Sequence, residues 1–268
     1  MSLLQKSSIL ILCSALCFPV ESIEYLYIEG DLTEIPQDIP LAATSVVLSY
    51  NNFTHIGPRA FSYLPKLRDL TLTLNKIRTI HDDAFGGLNK LNRLSLNHNE
   101  LTTVPNLKGL DVGTLSLAAN KIQLNRHSFE NVSILSLQVD GNKITDLSPV
   151  TRLSDSLLTL LAGSNPLGNS SAADLYHLIE SLPTLRDLYL VSCGLSTIPD
   201  FRILKEDTDN FNLRVKDNPF ECDARLAWLR NTSLDITDYD SIVCASPPEH
   251  KGQLLHTIPL QDLCPGEL

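Results

Sequence analysis

Apolar residues recur along this chain on a fixed spacing, seen most cleanly from Leu91 to Val104 (Leu-Asn-Arg-Leu-Ser-Leu-Asn-His-Asn-Glu-Leu-Thr-Thr-Val). Leu91, Leu94, Leu96, Leu101 and Val104 hold positions 1, 4, 6, 11 and 14 of that stretch, and Asn99 holds position 9. Alternation at Leu94 and Leu96 predicts a short strand with both side chains on one face. Asn99 then turns the chain, and Leu101 and Val104 fold back inward. One such unit cannot cover its own apolar face. Stacked copies can, so the repeat predicts a solenoid.

Position 9 is held in turn by Asn51, Asn75, Asn99, Asn120, Asn142, Asn165, Cys193 and Asn218, at spacings of 24, 24, 21, 22, 23, 28 and 25 residues. The fold class is therefore an α/β solenoid of about eight repeats whose strands form a parallel, concave sheet, a horseshoe with an arc of roughly 40 Å at a strand separation of about 4.8 Å. An inward amide at position 9 must satisfy both its donor and its acceptor groups, which the backbone of adjacent turns can supply. Cys193 replaces one rung. A thiol is small and tolerates burial, so it reads as a buried free side chain and not as half of a disulfide. Phe61, Phe85 and Phe129 each precede a repeat and read as fillers of the convex side. In the longest interval, Asn169-Ser170-Ser171 caps an expected helix through Ala172 to Ser181, with Leu175, Leu178 and Ile179 on one face and Pro183 ending it.

Ahead of the repeats, Ile23 to Ile28 alternates and reads as an edge strand. The prolines within Leu32 to Pro40 stop further pairing, so this segment would cover the open end of the core. Residues 1–22 have the features of a secretory leader: Lys6, an apolar run from Ser8 to Phe18 too short to span a bilayer, and small residues Val20 and Ser22 before a cleavage point. The organisation expected is a leader at 1–22, an N-terminal cap at 23–42, repeats at 43–217 and a C-terminal cap at 218–268.

Composition then narrows the partners. A formal net charge of −10 argues against nucleic acid and anionic membranes, and no basic cluster opposes it. The end of the chain, Cys264 to Leu268, has no hydrophobic tail for a lipid anchor, which with the leader predicts a soluble, secreted protein without a membrane anchor. Sequons at Asn52, Asn131, Asn169 and Asn231 fit an extracellular glycoprotein and all fall in turns or loops of the repeat register.

Asn218-Pro219-Phe220-Glu221-Cys222-Asp223-Ala224-Arg225-Leu226-Ala227-Trp228-Leu229, followed by Cys244 and Cys264, resembles the C-terminal cysteine-flanked cap of extracellular leucine-rich repeat proteins, the group of Slit, Toll-type receptors and variable lymphocyte receptors. The repeats at residues 43–220 are similar to that family's Leu-x-x-Leu-x-Leu-x-x-Asn-x-Leu pattern, and Leu32 to Pro40 resembles the end of its N-terminal cap. Two departures stand out. The family's N-terminal cap usually carries four cysteines, and none lies between residues 23 and 192; strand pairing alone must hold this end, which should fray more readily. Its C-terminal cap usually has Cys-x-Cys, where this chain has Cys222-Asp223-Ala224. The resemblance implies a Cys222–Cys244 link, whose 22-residue separation would contribute about 3 kcal/mol. Cys264 is then free, cross-linked to another molecule in a dimer, or paired with Cys222 in place of Cys244.

No catalytic constellation emerges. The seven histidines show no metal spacing, and there is no nucleophile elbow or phosphate-binding glycine loop. The acidic groups Glu206, Asp207, Asp209 and Asp235, Asp238, Asp240 lack the glycine and distal glutamate of a calcium loop and read as solvated loop faces. Neither a metal nor a cofactor is expected, and function falls to the concave sheet. Its outward positions 3, 5 and 7 are mostly small and hydroxylic. Leu161, Tyr189 and Val191 are the exception, forming an apolar patch in neighbouring layers, with Arg214 and Lys216 one layer on. An aromatic anchor beside cations is the composition of a binding hot spot. Arg93 and Asn97, with His98, form a second, polar candidate. The expectation is a non-enzymatic module binding an extracellular protein or glycan, as in adhesion, matrix or innate-immune recognition; the alternative is an accessory or inhibitory subunit of a secreted enzyme.

Overall fold

The computed structural model describes residues 10–12, 23–203, 211–231 and 235–264. Apart from Leu10–Leu12, the leader-like segment lies outside the described residues, as do Glu206, Asp207 and Asp209. The described chain forms two compact units: residues 1–122 with 129–135, and residues 123–128 with 136–268.

In the first unit, β1 (Leu10–Leu12), β2 (Glu24–Leu26), β3 (Ser45–Val47), β4 (Asp69–Thr71), β5 (Arg93–Ser95) and β6 (Asp111–Ser116) lie side by side in chain order. From β2 to β6 the strands are parallel, and Glu24, Ser45, Asp69, Arg93 and Thr114 are successive register partners. Equal positions of successive repeats therefore become neighbours, which turns a sequence period into rows of like side chains. Val46, Leu48, Leu70, Leu72, Leu94, Leu96, Leu115 and Leu117, from positions 4 and 6, are wholly buried. Behind them, Phe61 and Phe85 stack with ring centroids 6.4 Å apart.

The sheet does not end at β2. Expected as an edge strand, it is flanked by β1, which pairs antiparallel with it from Leu10↔Leu26 to Leu12↔Glu24. The outer backbone groups of β2 are unpaired without a further strand, and in the uncleaved chain Leu10–Leu12 of the leader-like segment supplies one.

In the second unit, the end of β7 (Ser133–Gln138) is followed by β8 (Thr159–Leu161), β9 (Asp187–Tyr189), β10 (Asn212–Arg214) and β11 (Asp235–Ile236), again parallel. Ser136, Thr159, Asp187, Asn212 and Asp235 are successive partners. The long interval carries α1 (Ala172–Glu180), which buries Leu175, Leu178 and Ile179. The Ser171 side chain accepts the Asp174 N–H while Asp174 accepts from the Ser171 backbone, a reciprocal cap that satisfies two helix-end donors. Further on, Phe201 packs edge-on against Phe211 and Trp228, at 6.0 and 5.9 Å between centroids. A disulfide joins Cys222 to Cys244 (Cα–Cα 5.6 Å), and Cys193 and Cys264 are free.

The asparagine rungs explain why the turns repeat. The Asn99 amide donates to the carbonyls of Leu72, Leu96 and Asn97 at 3.0, 3.0 and 3.2 Å, and its Oδ1 accepts the Ile77 N–H at 3.0 Å. Asn75, Asn120, Asn165 and Asn218 bond in the same way. At Cys193 the thiol contacts the Ala162 and Val191 carbonyls, at 3.4 and 3.6 Å. Each rung follows a residue in left-handed conformation: Tyr50, Leu74, His98, Ala119, Gly141, Ser164, Ser192 and Asp217 all have positive φ. For a non-glycine residue this costs roughly 1–2 kcal/mol. The neighbouring layer compensates, as when Leu74 N–H donates to Asn97 O at 3.0 Å and Ser164 N–H to Val191 O at 2.8 Å.

Candidate functional site

The second unit brings together the residues of the apolar-and-cationic candidate. Leu161, Tyr189 and Arg214 are direct register partners on β8, β9 and β10. Leu161, Tyr189, Val191 and Arg214 are half-buried, and Lys216 is exposed. Tyr189 and Arg214 do not act as a separate anchor and cation: the Arg214 guanidinium carbon lies 4.8 Å from the Tyr189 ring centroid. The cation sits on the negative face of the ring, worth about 0.5–2 kcal/mol depending on solvent exclusion.

A polar network that the sequence reading did not single out positions Tyr189. Asn212 Nδ2 donates to the Tyr189 hydroxyl at 3.2 Å and to Asp187 Oδ1 at 3.3 Å. Thr159 Oγ1 donates to Asp187 Oδ2 at 2.9 Å, and Thr237 Oγ1 donates to Asn212 Oδ1 at 3.0 Å. Thr159, Asp187 and Asn212 occupy position 3 of successive repeats, so polar residues at that position in three consecutive layers were the available signal.

Asp140, at outward position 7 of its repeat, is turned to the fold: its Oδ1 accepts the Gly163 N–H at 3.0 Å. Burial raises its pKa, only partly opposed by that bond. A side chain at position 163 would be crowded, because a Cβ would lie 3.0 Å from the Val191 carbonyl and 3.1 Å from Asp140 Oδ1. Asp238, expected in a solvated loop, instead accepts the backbone N–H groups of Val215 and Lys216, at 3.1 and 2.8 Å. It binds two donors beyond the end of β10, where the strand has no ladder partner for them.

The polar candidate in the first unit is more tied down than its composition suggested. Arg93 approaches Asp69 at 3.9 Å, with the Arg93 side chain exposed and Asp69 half-buried. Asn97 Oδ1 accepts the Ala118 N–H at 2.8 Å, so its carbonyl serves the fold. His98 is exposed and occupies a left-handed turn position.

Among the sequons, Asn131 and Asn169 are exposed. Asn52 is half-buried; it donates to Asp31 at 3.3 Å and accepts from Lys76 at 2.7 Å. Asn169 stands beside an open recess lined by Ser164, Pro166, Gly168, Ser192 and Gly194. The Asn231 sequon lies partly outside the described residues. Among the described residues, no group of three or more His, Cys, Asp or Glu side chains is placed to hold a metal ion, and no helix is long and apolar enough to cross a membrane.

Comparison with known proteins agrees with this architecture. The leucine-rich repeat family model matches residues 43–101. A phospholipase A2 inhibitor of Gloydius brevicaudus siniticus is 28% identical over 103 residues, 37% of this chain and 30% of that protein. The immunoglobulin superfamily containing leucine-rich repeat protein 2 of Mus musculus is 40% identical over 52 residues, 18% of this chain and 7% of that protein. The chain thus matches less than a third of the length of either relative. Among solved structures, human 5T4 (trophoblast glycoprotein) superposes with a TM-score of 0.58 at 21% identity, covering 91% of this chain and 94% of that one. A chain of the octameric complex of Latrophilin 3, Unc5D and FLRT2 gives 0.64 at 22% identity, covering 88% and 81%. These likenesses show the leucine-rich repeat solenoid fold.

Proposed function

We propose that this leucine-rich repeat protein is a secreted, non-enzymatic binding module, and that the outward face of β8, β9 and β10 recognises an extracellular protein. The observation that carries the reading is the Tyr189–Arg214 stack, held by the Asp187–Asn212 network and flanked by Leu161 and Val191. An ordered aromatic and a guanidinium beside aliphatic side chains form the kind of cluster that dominates protein interfaces. A protein ligand is favoured over a glycan because Arg214 occupies a ring face on which a sugar would stack. Secretion is supported by the leader-like N-terminus, the sequons and the Cys222–Cys244 disulfide, which persists only in an oxidising compartment. The disulfide-linked segment from Asn218 onward reads as the cap that closes the repeats.

One relative favours a second reading: similarity to a phospholipase A2 inhibitor points to an inhibitory subunit of a secreted enzyme. The same experiment serves both. The full chain and its Tyr189→Ala variant are used as bait in extracellular fluid. Stoichiometric capture by the parent and at least tenfold weaker capture by a variant of unchanged melting temperature supports the face. Equal capture removes it. A captured enzyme that loses turnover in the complex supports the inhibitory reading.

A further inference from the structure

We propose that Arg214 is the receptor for a carboxylate, so that the partner presents an aspartate or glutamate from an extended segment laid across β8 to β10. The inference rests on the reading of this face as a protein site and names the chemistry of what it binds.

Arg214 is half-buried, yet among the described residues no carboxylate lies within ion-pair distance of it, and its Nε is buried with no hydrogen-bond partner. A buried guanidinium N–H without a hydrogen-bond partner is costly. The Tyr189 ring compensates in part and fixes the plane of the group. Asp187, on the adjacent strand, does not serve as the counter-ion: Thr159 and Asn212 hold its two oxygens. The Asp238 carboxylate, beyond the end of β10, is bound to the backbone N–H groups of Val215 and Lys216. Lys216, two residues along, adds a second cation, exposed and without an ion pair among the described residues.

A planar guanidinium held by an aromatic ring can donate two parallel N–H bonds to one carboxylate. Leu161 and Val191 alongside would exclude water and strengthen that pair. This cationic place belongs to a chain of net charge −10, so it is a local feature that opposes the overall field. An acidic partner gains nothing from long-range steering, and recognition must come from the short-range pair.

The test is selection of random twelve-residue peptides on the full chain. It should enrich peptides with Asp or Glu at a constant place beside an aliphatic or aromatic residue. Replacing that Glu by Gln in a selected peptide should weaken binding roughly tenfold or more, the scale of a hot-spot contact. Arg214→Glu should abolish binding of the acidic peptide and accept its Glu→Lys counterpart, a charge-swap rescue that a structural role for Arg214 would not produce. Melting temperature serves as the folding control for each variant. Peptides that lose binding with Tyr189→Ala but tolerate both Glu→Gln and Arg214→Glu would overturn the carboxylate assignment and leave the protein-binding reading standing. Absence of any enriched sequence, or peptides indifferent to both Tyr189→Ala and Arg214→Glu, would contradict both.

Discussion

An asparagine at position 9 is worth more than its solvent-exposed counterparts because its amide ties together buried backbone groups of two successive layers. Asn99→Ala removes four hydrogen bonds and leaves the Ile77 N–H without its acceptor, while the Leu72 and Leu96 carbonyls keep their bonds from Asn75 and Asn120. We expect a loss of about 2–4 kcal/mol in urea unfolding, with an unchanged slope. The thiols should separate just as sharply. Burial pushes Cys193 up to about 11, so iodoacetamide at neutral pH should alkylate Cys264 in the native protein and Cys193 only after unfolding. Tyr25 gives a signature at alkaline pH. Burial, together with the Asp38 carboxylate beside its hydroxyl, pushes it up from 10.0 to about 12. The folded state keeps a proton that the unfolded state loses, so its contribution is fully present below pH 10 and is lost as pH rises from there through about 12. Tyr25→Phe should flatten that fall in stability, as followed by circular dichroism against pH.

At the scale of elements, the strands were readable because leucine alternation has a period that nothing else in the chain imitates. The helix was readable because Asn169-Ser170-Ser171 stands ahead of an apolar face of Leu175, Leu178 and Ile179 and Pro183 follows it, and the structure adds Asp174 as the second half of the cap. Ser171 also completes the Asn169 sequon, so Ser171→Ala should cost about 1 kcal/mol in the unglycosylated protein and also remove glycan at Asn169. Ser171→Thr should preserve both, as read by urea unfolding and by glycan release. What the pattern did not disclose is the left-handed residue before each rung. It is tyrosine, leucine, histidine, alanine, serine or aspartate as readily as glycine, because the next strand's carbonyl holds it there and no side-chain signal is needed. Relieving that strain should stabilise the fold: Ser192→Gly, at an exposed position with φ 57°, should add roughly 1 kcal/mol.

For the molecule as a whole, the repeats follow from spacing alone, since stacking in register is the only way such units bury their leucines. The site was legible only in part. Rows of outward positions located Leu161, Tyr189 and Arg214, because parallel register makes equal positions neighbours. They could not show that Arg214 covers Tyr189, that Asn97 bonds to the backbone, or that Asp140 accepts the Gly163 N–H, because those are choices of rotamer and not of register. Binding is expected through the outward strand face of the second unit. Site-specific photocrosslinking in extracellular fluid decides this, with the reactive side chain placed at Ser136, outward on β7 beside β8, in one protein and at Ala173, on the exposed side of α1, in another. The expected result is a discrete crosslinked partner from position 136 and none from 173. Crosslinking from 173, or none from 136, places binding elsewhere.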